Sequence, residues 1–162
     1  MHMADERFEF AVELYEKAQK LCQQGEPELA MDLCRRSLEL SATAEARTLL
    51  GWIYHDQGRV DDAIAECKKA IELDPDLGTP YNDIGAYLIE KGDYDSAVGW
   101  LEKATRSRRY RSYHFPWYNL GRVYAARELF NRATECFEHA LEIEPDYTEA
   151  ETALRRLKLL VQ

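Results

Sequence analysis

Three stretches of the sequence align with one another without gaps, and this repetition limits the chain to folds built from tandem copies of one unit. The stretches are 50–75, 84–109 and 120–145. Each has a glycine after an apolar residue and two alanines further on: Gly51, Ala63 and Ala70; Gly85, Ala97 and Ala104; Gly121, Ala133 and Ala140. Small residues at fixed spacing suit a pair of antiparallel helices, because they let two helix axes approach closely.

The apolar residues between these small positions recur at helical spacing. In the first stretch, Ile64, Cys67 and Ile71 fall on one side of a helix. Gly58 and Gly92 mark the turn inside the first two stretches. No segment alternates with the period of two that is typical of a strand. The sequence therefore predicts an all-α fold of antiparallel helix pairs.

The repeated unit resembles the tetratricopeptide repeat, whose 34-residue pattern is W-x2-L-G-x2-Y followed by A, F, A and P. The fullest match carries Trp117, Leu120, Gly121, Tyr124, Ala133, Phe137, Ala140 and Pro145. The resemblance implies one solenoid domain, 1–162, a right-handed superhelix of antiparallel helix pairs. We expect repeats at 44–77, 78–111 and 114–147, a degenerate repeat at about 11–43, and a capping helix at 148–162.

Charge and patterning exclude several classes of partner. The formal net charge of −9 argues against nucleic acid or an anionic membrane as the principal partner. No apolar run approaches the roughly 20 residues needed to cross a bilayer. The first ten residues, MHMADERFEF, carry acids where a signal peptide would be basic and then apolar. We therefore expect a cytoplasmic protein without a membrane partner.

Residues that carry chemistry are few and scattered. The histidines are His2, His55, His114 and His139, and the sequence has no nucleophile elbow, zinc-protease motif or phosphate-binding loop. The four cysteines lie far apart, with no CxxC pair and no His/Cys cluster at zinc spacing. We interpret the cysteines as reduced core residues. The sequence predicts no enzymatic activity, no cofactor and no metal.

The resemblance implies that the first helix of each repeat lines a groove that receives a segment of a partner protein. The predicted groove residues are Leu49, Trp52, His55, Asn82, Asp83, Ile89, Glu90, Phe115, Tyr118, Asn119 and Arg122. Four of them are large side chains expected to face outward, as in binding hot spots: Trp52, Ile89, Phe115 and Tyr118. The alternative for Trp52 is packing against the N-terminal helix or the neighbouring repeat.

The asparagines of the predicted groove have two interpretations. Asn82 and Asn119 offer both a donor and an acceptor, which a partner's backbone requires, or they are simply hydrated.

Some family members hold the C-terminal carboxylate of heat-shock chaperones with a clamp of Lys, Asn, Asn, Lys and Arg. The corresponding positions here are Tyr15, Gln19, Leu49, Thr79 and Asp83. The sequence therefore disfavours a chaperone-tail receptor of that kind.

The stretch RSRRYRSYHFPW, 106–117, departs from the repeat. Gly121 lies 36 residues after Gly85, whereas Gly85 lies 34 after Gly51, so this connection is two residues longer. We expect the helix before it to run on for a turn. Its arginines are Arg106, Arg108, Arg109 and Arg111. They form either a solvated connection paired with nearby acids or a basic lip that holds an acidic or phosphorylated partner segment.

Three functions remain open from the sequence. The first is an adaptor that binds a partner polypeptide in the groove. The second is a structural module that assembles with copies of itself as a homo-oligomer or with a larger complex. The third is contact with an anion or nucleic acid through the arginines of 106–111, whose signature is affinity that falls steeply with salt.

Overall fold

The computed structural model describes residues 2–161, and within that span the chain forms nine α-helices and no β-strand. The helices are α1 His2–Gln23, α2 Pro27–Leu40, α3 Ala44–Asp56, α4 Val60–Leu73, α5 Thr79–Glu90, α6 Tyr94–Thr105, α7 His114–Ala126, α8 Phe130–Ile143 and α9 Thr148–Leu160. They fall into two compact units, Met1–Pro75 and Asp76–Gln162. The prediction of one domain over 1–162 stays a prediction.

Each unit is built from consecutive helix pairs. In the first unit α1 packs on α2 and α3 packs on α4. In the second unit α5 packs on α6, α7 packs on α8, and α9 lies against α8. The prediction of an all-α fold of helix pairs is confirmed, including a helix pair at the degenerate first repeat.

The repeated glycines lie where the two helices of a pair come closest. A Cβ atom added at Gly51 would meet the carbonyl oxygen of Ala63 at 3.0 Å, and one added at Gly121 would meet Cε1 of Phe137 at 2.5 Å. At Gly85 the added atom would overlap the side chain of Leu101. The sequence interpretation of these glycines as close-approach positions is therefore confirmed, since a Cβ atom at any of them would require atoms of the partner helix to move.

The turn after the first helix of every pair contains a residue in the left-handed conformation. Gly25, Gly58 and Gly92 have φ values of 78°, 78° and 77°, and the fourth pair places Glu128 at φ 60°. In that fourth turn the backbone N–H of Leu129 donates to the carbonyl oxygen of Tyr124 at 2.9 Å, which closes the end of α7. The turn geometry is thus kept even where the sequence lacks glycine.

Helix α1 begins at His2, so helical residues precede the repeat expected at about 11–43. One helix boundary differs from the sequence expectation. Helix α6 ends at Thr105 and does not run on for a turn. The hydroxyl of Ser107 donates to the carbonyl oxygen of Lys103 at 3.0 Å, and this bond competes with continuation of the helix.

The cysteines belong to the packing of the helix pairs. Within the described residues none of the four forms a disulfide, and Cys34, Cys67 and Cys136 are buried. Burial raises the pKa of the Cys34 thiol to about 12 and that of Cys136 to about 11. Both thiols therefore stay protonated at neutral pH, as the interpretation of reduced core residues requires.

Candidate partner-binding site

Two buried asparagines join the first helices of the two repeats in the second unit. Nδ2 of Asn119 on α7 donates a 3.0 Å hydrogen bond to Oδ1 of Asn82 on α5. The two residues are only 7% and 8% exposed. The interpretation of hydrated asparagines is therefore wrong, because both amides are withdrawn from bulk water and bonded to each other.

Arg122 continues this hydrogen-bond chain to the surface of α7. Its Nη1 donates to Oδ1 of Asn119 at 3.0 Å, so both polar groups of the Asn119 amide are used. The guanidinium carbon also lies 5.9 Å from the centroid of the Tyr118 ring. Arg122 is exposed, yet its guanidinium is oriented by an amide and by a ring face.

Tyr147, in the turn between α8 and α9, is surrounded by three rings of α7. Its ring centroid lies 5.0 Å from that of His114, 5.7 Å from Phe115 and 5.2 Å from Tyr118. The interplanar angles of 72°, 84° and 77° are the edge-to-face arrangement that aromatic rings favour. Phe115 nevertheless remains 39% exposed. We call Phe115, Tyr118, Arg122 and Tyr147 the aromatic face.

Two tyrosines of this region are held in the neutral form. Burial raises the pKa of Tyr147, the neighbouring Tyr118 and Glu149 raise it further, and Arg122 opposes them. Burial also raises the pKa of Tyr110, with added contributions from Asp83 and Tyr147. Both phenols therefore keep their O–H groups at physiological pH.

The connection from α6 to α7, 106–113, is anchored to the turn that precedes α5. The N–H of Arg109 donates to the carbonyl oxygen of Asp76 at 2.9 Å, and the N–H of Gly78 donates to that of Arg109 at 3.0 Å. Leu77 and Arg109 thereby form an isolated parallel β-bridge. These backbone bonds fix residues that the sequence suggested were only a longer connection.

Aromatic side chains reinforce the same anchor. Tyr110 covers Gly78 so closely that an added Cβ atom there would lie 2.5 Å from Cγ of the tyrosine. Tyr113 stacks edge-on against Tyr110 at 5.4 Å and donates its hydroxyl to the carbonyl oxygen of Ser107. The connection is therefore a packed structure, and its arginines project from a defined backbone.

All four predicted lip arginines are exposed, and three of them line one pocket. The pocket has a volume of about 540 Å³ and is lined by Leu77, Thr79, Arg108, Arg109, Tyr110, Arg111 and Ser112. We call it the basic pocket. Arg106 is exposed but does not line it.

The first unit contributes a separate apolar pocket beside Trp52. This side chain is 42% exposed on α3. The pocket, of about 380 Å³, is lined by Gln19, Cys22, Gln23, Leu49 and Trp52. Trp52 thus faces outward and shares a pocket with residues of α1. Leu49 and His55 are half-buried on the same helix.

The remaining predicted groove residues, on α5, differ in exposure. Glu90 is exposed and Asp83 is half-buried. Ile89, expected to face outward, is only 7% exposed, and that expectation is wrong. Because α5 packs against both α6 and α7, Leu88 and Ile89 are buried one after the other.

Sequence reasoning missed Tyr147 and Tyr110. Tyr147 follows the Pro145-Asp146 pair as Leu77 follows Pro75-Asp76, so alignment of the turns between repeats would have found it. For Tyr110 the sequence carried no such signal, because its contact with Gly78 joins two turns that are far apart along the chain.

Two other features, a metal site and a membrane-spanning helix, are absent from the part of the chain that the structure describes. Across residues 2–161 no group of three or more His, Cys, Asp or Glu side chains is placed to hold a metal ion. None of the helices in that range is both long and apolar enough to cross a membrane.

Known proteins match this chain along much of its length. Family models described as tetratricopeptide repeat match residues 44–77, 81–109 and 115–147. The chain is 30% identical over 80 residues, 49% of its length, to the bacteriophage adsorption protein A of Escherichia coli K12. It is 34% identical over 93 residues, 57% of its length, to the SGT1 homolog of Oryza sativa subsp. japonica. These matches span 8% and 25% of the two relatives.

Solved structures share the fold at lower identity. PilF of Pseudomonas aeruginosa superposes with a TM-score of 0.88 at 24% identity, over 94% of this chain and 69% of that chain. YrrB, described as a TPR protein with an unusual peptide-binding site, gives 0.71 at 21% identity, over 90% and 74%. The first TPR of Spaghetti (RPAP3), bound to an HSP90 peptide, gives 0.68 at 24% identity, over 75% and 94%.

The family models together cover more than half of the sequence, and each falls on a helix pair whose glycine touches its partner helix. Proteins with this repeat are typically interaction modules without catalysis. The chain belongs to the tetratricopeptide repeat family.

Proposed function

We propose that this chain is a protein-interaction module that binds a polypeptide segment of a partner protein on the aromatic face. The partner segment lies along α7, with its side chains against Phe115 and Tyr118 and its polar groups near Arg122. No catalytic step is part of the proposal. We take the cytoplasm as the location of this function, an expectation that comes from the sequence alone.

The observation that carries the proposal is an exposed aromatic and arginine surface whose side chains are already held in place. Tyrosine and arginine are enriched among the residues that dominate binding energy. Tyr118 is fixed by its edge-to-face contact with Tyr147, and Arg122 by its bond to Asn119. Side chains ordered before binding lose less conformational entropy when a ligand arrives, which favours affinity.

The solved relatives support a peptide ligand but not the same ligand. The names of YrrB and of the Spaghetti repeat refer to a peptide-binding site and to a bound HSP90 peptide. The clamp pattern that grips chaperone tails is replaced here by residues such as Leu49 and Asp83. We therefore propose a segment other than a chaperone C-terminal tail, recognised by aromatic contacts.

The test is selection of short random peptides displayed on phage against the immobilised full chain. Selected peptides are then titrated against the wild type and against Phe115→Ala and Tyr118→Ala by fluorescence anisotropy. Each variant should weaken binding about tenfold or more, the loss expected at a hot-spot residue. A parallel Trp52→Ala variant shows whether the apolar pocket of the first unit takes part.

Leu29→Ala is the control, because Leu29 is an exposed apolar side chain of α2, far from α7 along the chain. It should leave the affinity unchanged. Peptides that bind Phe115→Ala and Tyr118→Ala as tightly as the wild type would remove the aromatic face from the proposal.

A second candidate function, assembly with further copies of the chain, is favoured by exposed apolar side chains near both ends of the described residues. They are Met3, Phe8 and Phe10 on α1, and Leu159, Leu160 and Val161 at the end of α9. Light scattering after gel filtration over a wide concentration range tests it. Self-assembly should be abolished by Phe8→Glu with Phe10→Glu, whereas a monomer at every concentration rejects this candidate.

A further inference from the structure

Two arginines of the basic pocket, Arg108 and Arg111, lack acidic partners among the described residues that would explain them as ordinary surface charge. Between residues 2 and 161, no carboxylate lies within ion-pair distance of Arg106, Arg108 or Arg111. Other arginines of the second unit do have such partners, as Arg127 does with Asp95 and Arg155 with Glu151. The described acids of this chain therefore leave the charges of Arg108 and Arg111 available to a ligand.

The backbone that carries these arginines is anchored at its middle and closed on itself. The β-bridge of Arg109 to Leu77 fixes the middle of the connection, and the bond from Tyr113 to Ser107 closes it on itself. Arg108 and Arg111 flank the bridge residue and both line the pocket. A fixed backbone lowers the entropic cost of directing several guanidinium groups at one ligand.

The donors around the pocket match a phosphoryl group better than a carboxylate. Three guanidinium groups, with the hydroxyls of Thr79 and Ser112, line the same space. A carboxylate has two oxygens and one charge, which one bidentate arginine satisfies. A phosphomonoester carries nearly two charges and three acceptor oxygens, so it can bond several of these groups at once.

The basic pocket adjoins the aromatic face along the chain. Ser112 lines the pocket, and its carbonyl oxygen accepts a 3.0 Å hydrogen bond from the N–H of Phe115. A segment that contacts Phe115 can therefore place a neighbouring side chain in the pocket. Because the whole chain has a net charge of −9, a single anionic group is favoured here over a polyanion such as nucleic acid.

We propose that the basic pocket binds the phosphorylated serine or threonine of a partner segment that lies on the aromatic face. This inference rests on the proposed function, which supplies the partner segment. It adds that the segment is phosphorylated when it binds. Phosphorylation of the partner would then switch the interaction on, because the pocket arginines bind the charged phosphoryl group and gain little from an unmodified serine or threonine.

The first arm of the test examines the pocket without a peptide. N-acetyl-O-phosphoserine amide is titrated into isotopically labelled full chain, with the backbone amide and arginine Nε–Hε signals followed by NMR. Signals of 108–112 should shift in a saturable way. The corresponding aspartate and serine compounds should bind about tenfold more weakly or not at all.

Arg108→Gln with Arg111→Gln should lower the affinity for the phosphoserine compound about tenfold or more. The matched control is Arg7→Gln with Arg36→Gln, which removes the same charge from exposed positions of the first unit and should have no effect. Both double variants alter exposed side chains, so thermal unfolding should be unchanged. Equal losses in the two variants would mean that only net charge matters, and would overturn the inference.

The second arm uses degenerate peptide libraries with a fixed phosphoserine, serine or aspartate. The phosphoserine library should be retained best, and the advantage should vanish in Arg108→Gln with Arg111→Gln. No shift at 108–112 with the compound would overturn the inference, while phage-selected peptides that need Tyr118 would still support the proposed function. Tighter, strongly salt-dependent binding of an oligothymidylate by the same arginines would assign the pocket to nucleic acid instead.

Discussion

Nδ2 of Asn119 lies 3.0 Å from Oδ1 of Asn82, and this hydrogen bond joins α7 to α5 across the boundary between two repeats. Glycines and alanines hold the two helices within a repeat, but this contact between repeats is polar. A buried amide pair is satisfied in only one relative placement of its helices, so it fixes how the repeats of the second unit align.

We expect Asn119→Ala to lower the free energy of unfolding by about 1–3 kcal/mol, because it leaves the buried Oδ1 of Asn82 without its donor. Urea unfolding of the full chain measures the change. Asn131→Ala, at an exposed asparagine of α8, should change stability by less than about 0.5 kcal/mol. In a cycle with Asn82→Ala the two losses should not add, and strict additivity would show that the bond contributes nothing.

The same substitution should have opposite effects at two helical glycines. Gly121→Ala brings a Cβ atom to 2.5 Å from Cε1 of the buried Phe137 and should cost about 1–3 kcal/mol. Gly99→Ala, inside α6 with nothing within 4 Å, should stabilise by about 0.5–1 kcal/mol through helix propensity. Chemical unfolding of both variants checks the signs, and stabilisation by Gly121→Ala would contradict the close-approach argument.

Glu128→Gly should stabilise the protein by about 1 kcal/mol, because Glu128 is held at φ 60° in the turn where the other three pairs have glycine. For a chain of this size that corresponds to a rise in Tm of about 2–4 °C. The reciprocal change, Gly58→Ala, meets no atom within 4 Å and should lower the Tm through the backbone alone. A Tm that does not rise in Glu128→Gly would mean that the turn imposes no strain.

Alkaline pH should destabilise the fold through Tyr110. Its pKa is raised in the folded protein, chiefly by burial, so the folded state binds more protons than the unfolded state once the pH exceeds about 10. The stabilising contribution is complete below the pKa of the unfolded chain and is lost as the pH rises towards the folded pKa.

Tyr110→Phe keeps the ring over Gly78 and removes the ionisable hydroxyl. It should match the wild type at pH 7 and lose less stability between pH 10 and pH 11. Urea unfolding at the three pH values measures this. An alkaline slope identical to that of the wild type would show that Tyr110 ionises as readily in the folded chain as in the unfolded one.

The helix pairs could be predicted from sequence because their determinants are local and repeated. Gly51, Gly85 and Gly121 recur at matching positions, and each marks the same contact with its partner helix. The position of the exposed Phe115 and the half-buried Tyr118 on α7 followed from the same alignment. Repetition therefore conveyed both the packing and the side of α7 that carries Phe115 and Tyr118.

The other features depend on contacts between residues that no repeat pattern relates. Ile89 is buried because two helices cover α5, which one helix's periodicity does not reveal. The backbone hydrogen bonds of Arg109 with Asp76 and Gly78 join the turn before α5 to the connection after α6. Helix periodicity carries no information about backbone bonds between two turns, so the ordered connection appeared only in the structure.

The β-bridge between Leu77 and Arg109 also bears on the design of repeat arrays from this chain. Removing two residues from 106–113 to restore uniform 34-residue spacing would delete or shift the residues that pair with the turn before α5. The array would gain uniform spacing and lose the ordered connection between α6 and α7. A designed array would therefore have to keep the whole connection 106–113, with its β-bridge, its tyrosines and its arginines, or replace all of it.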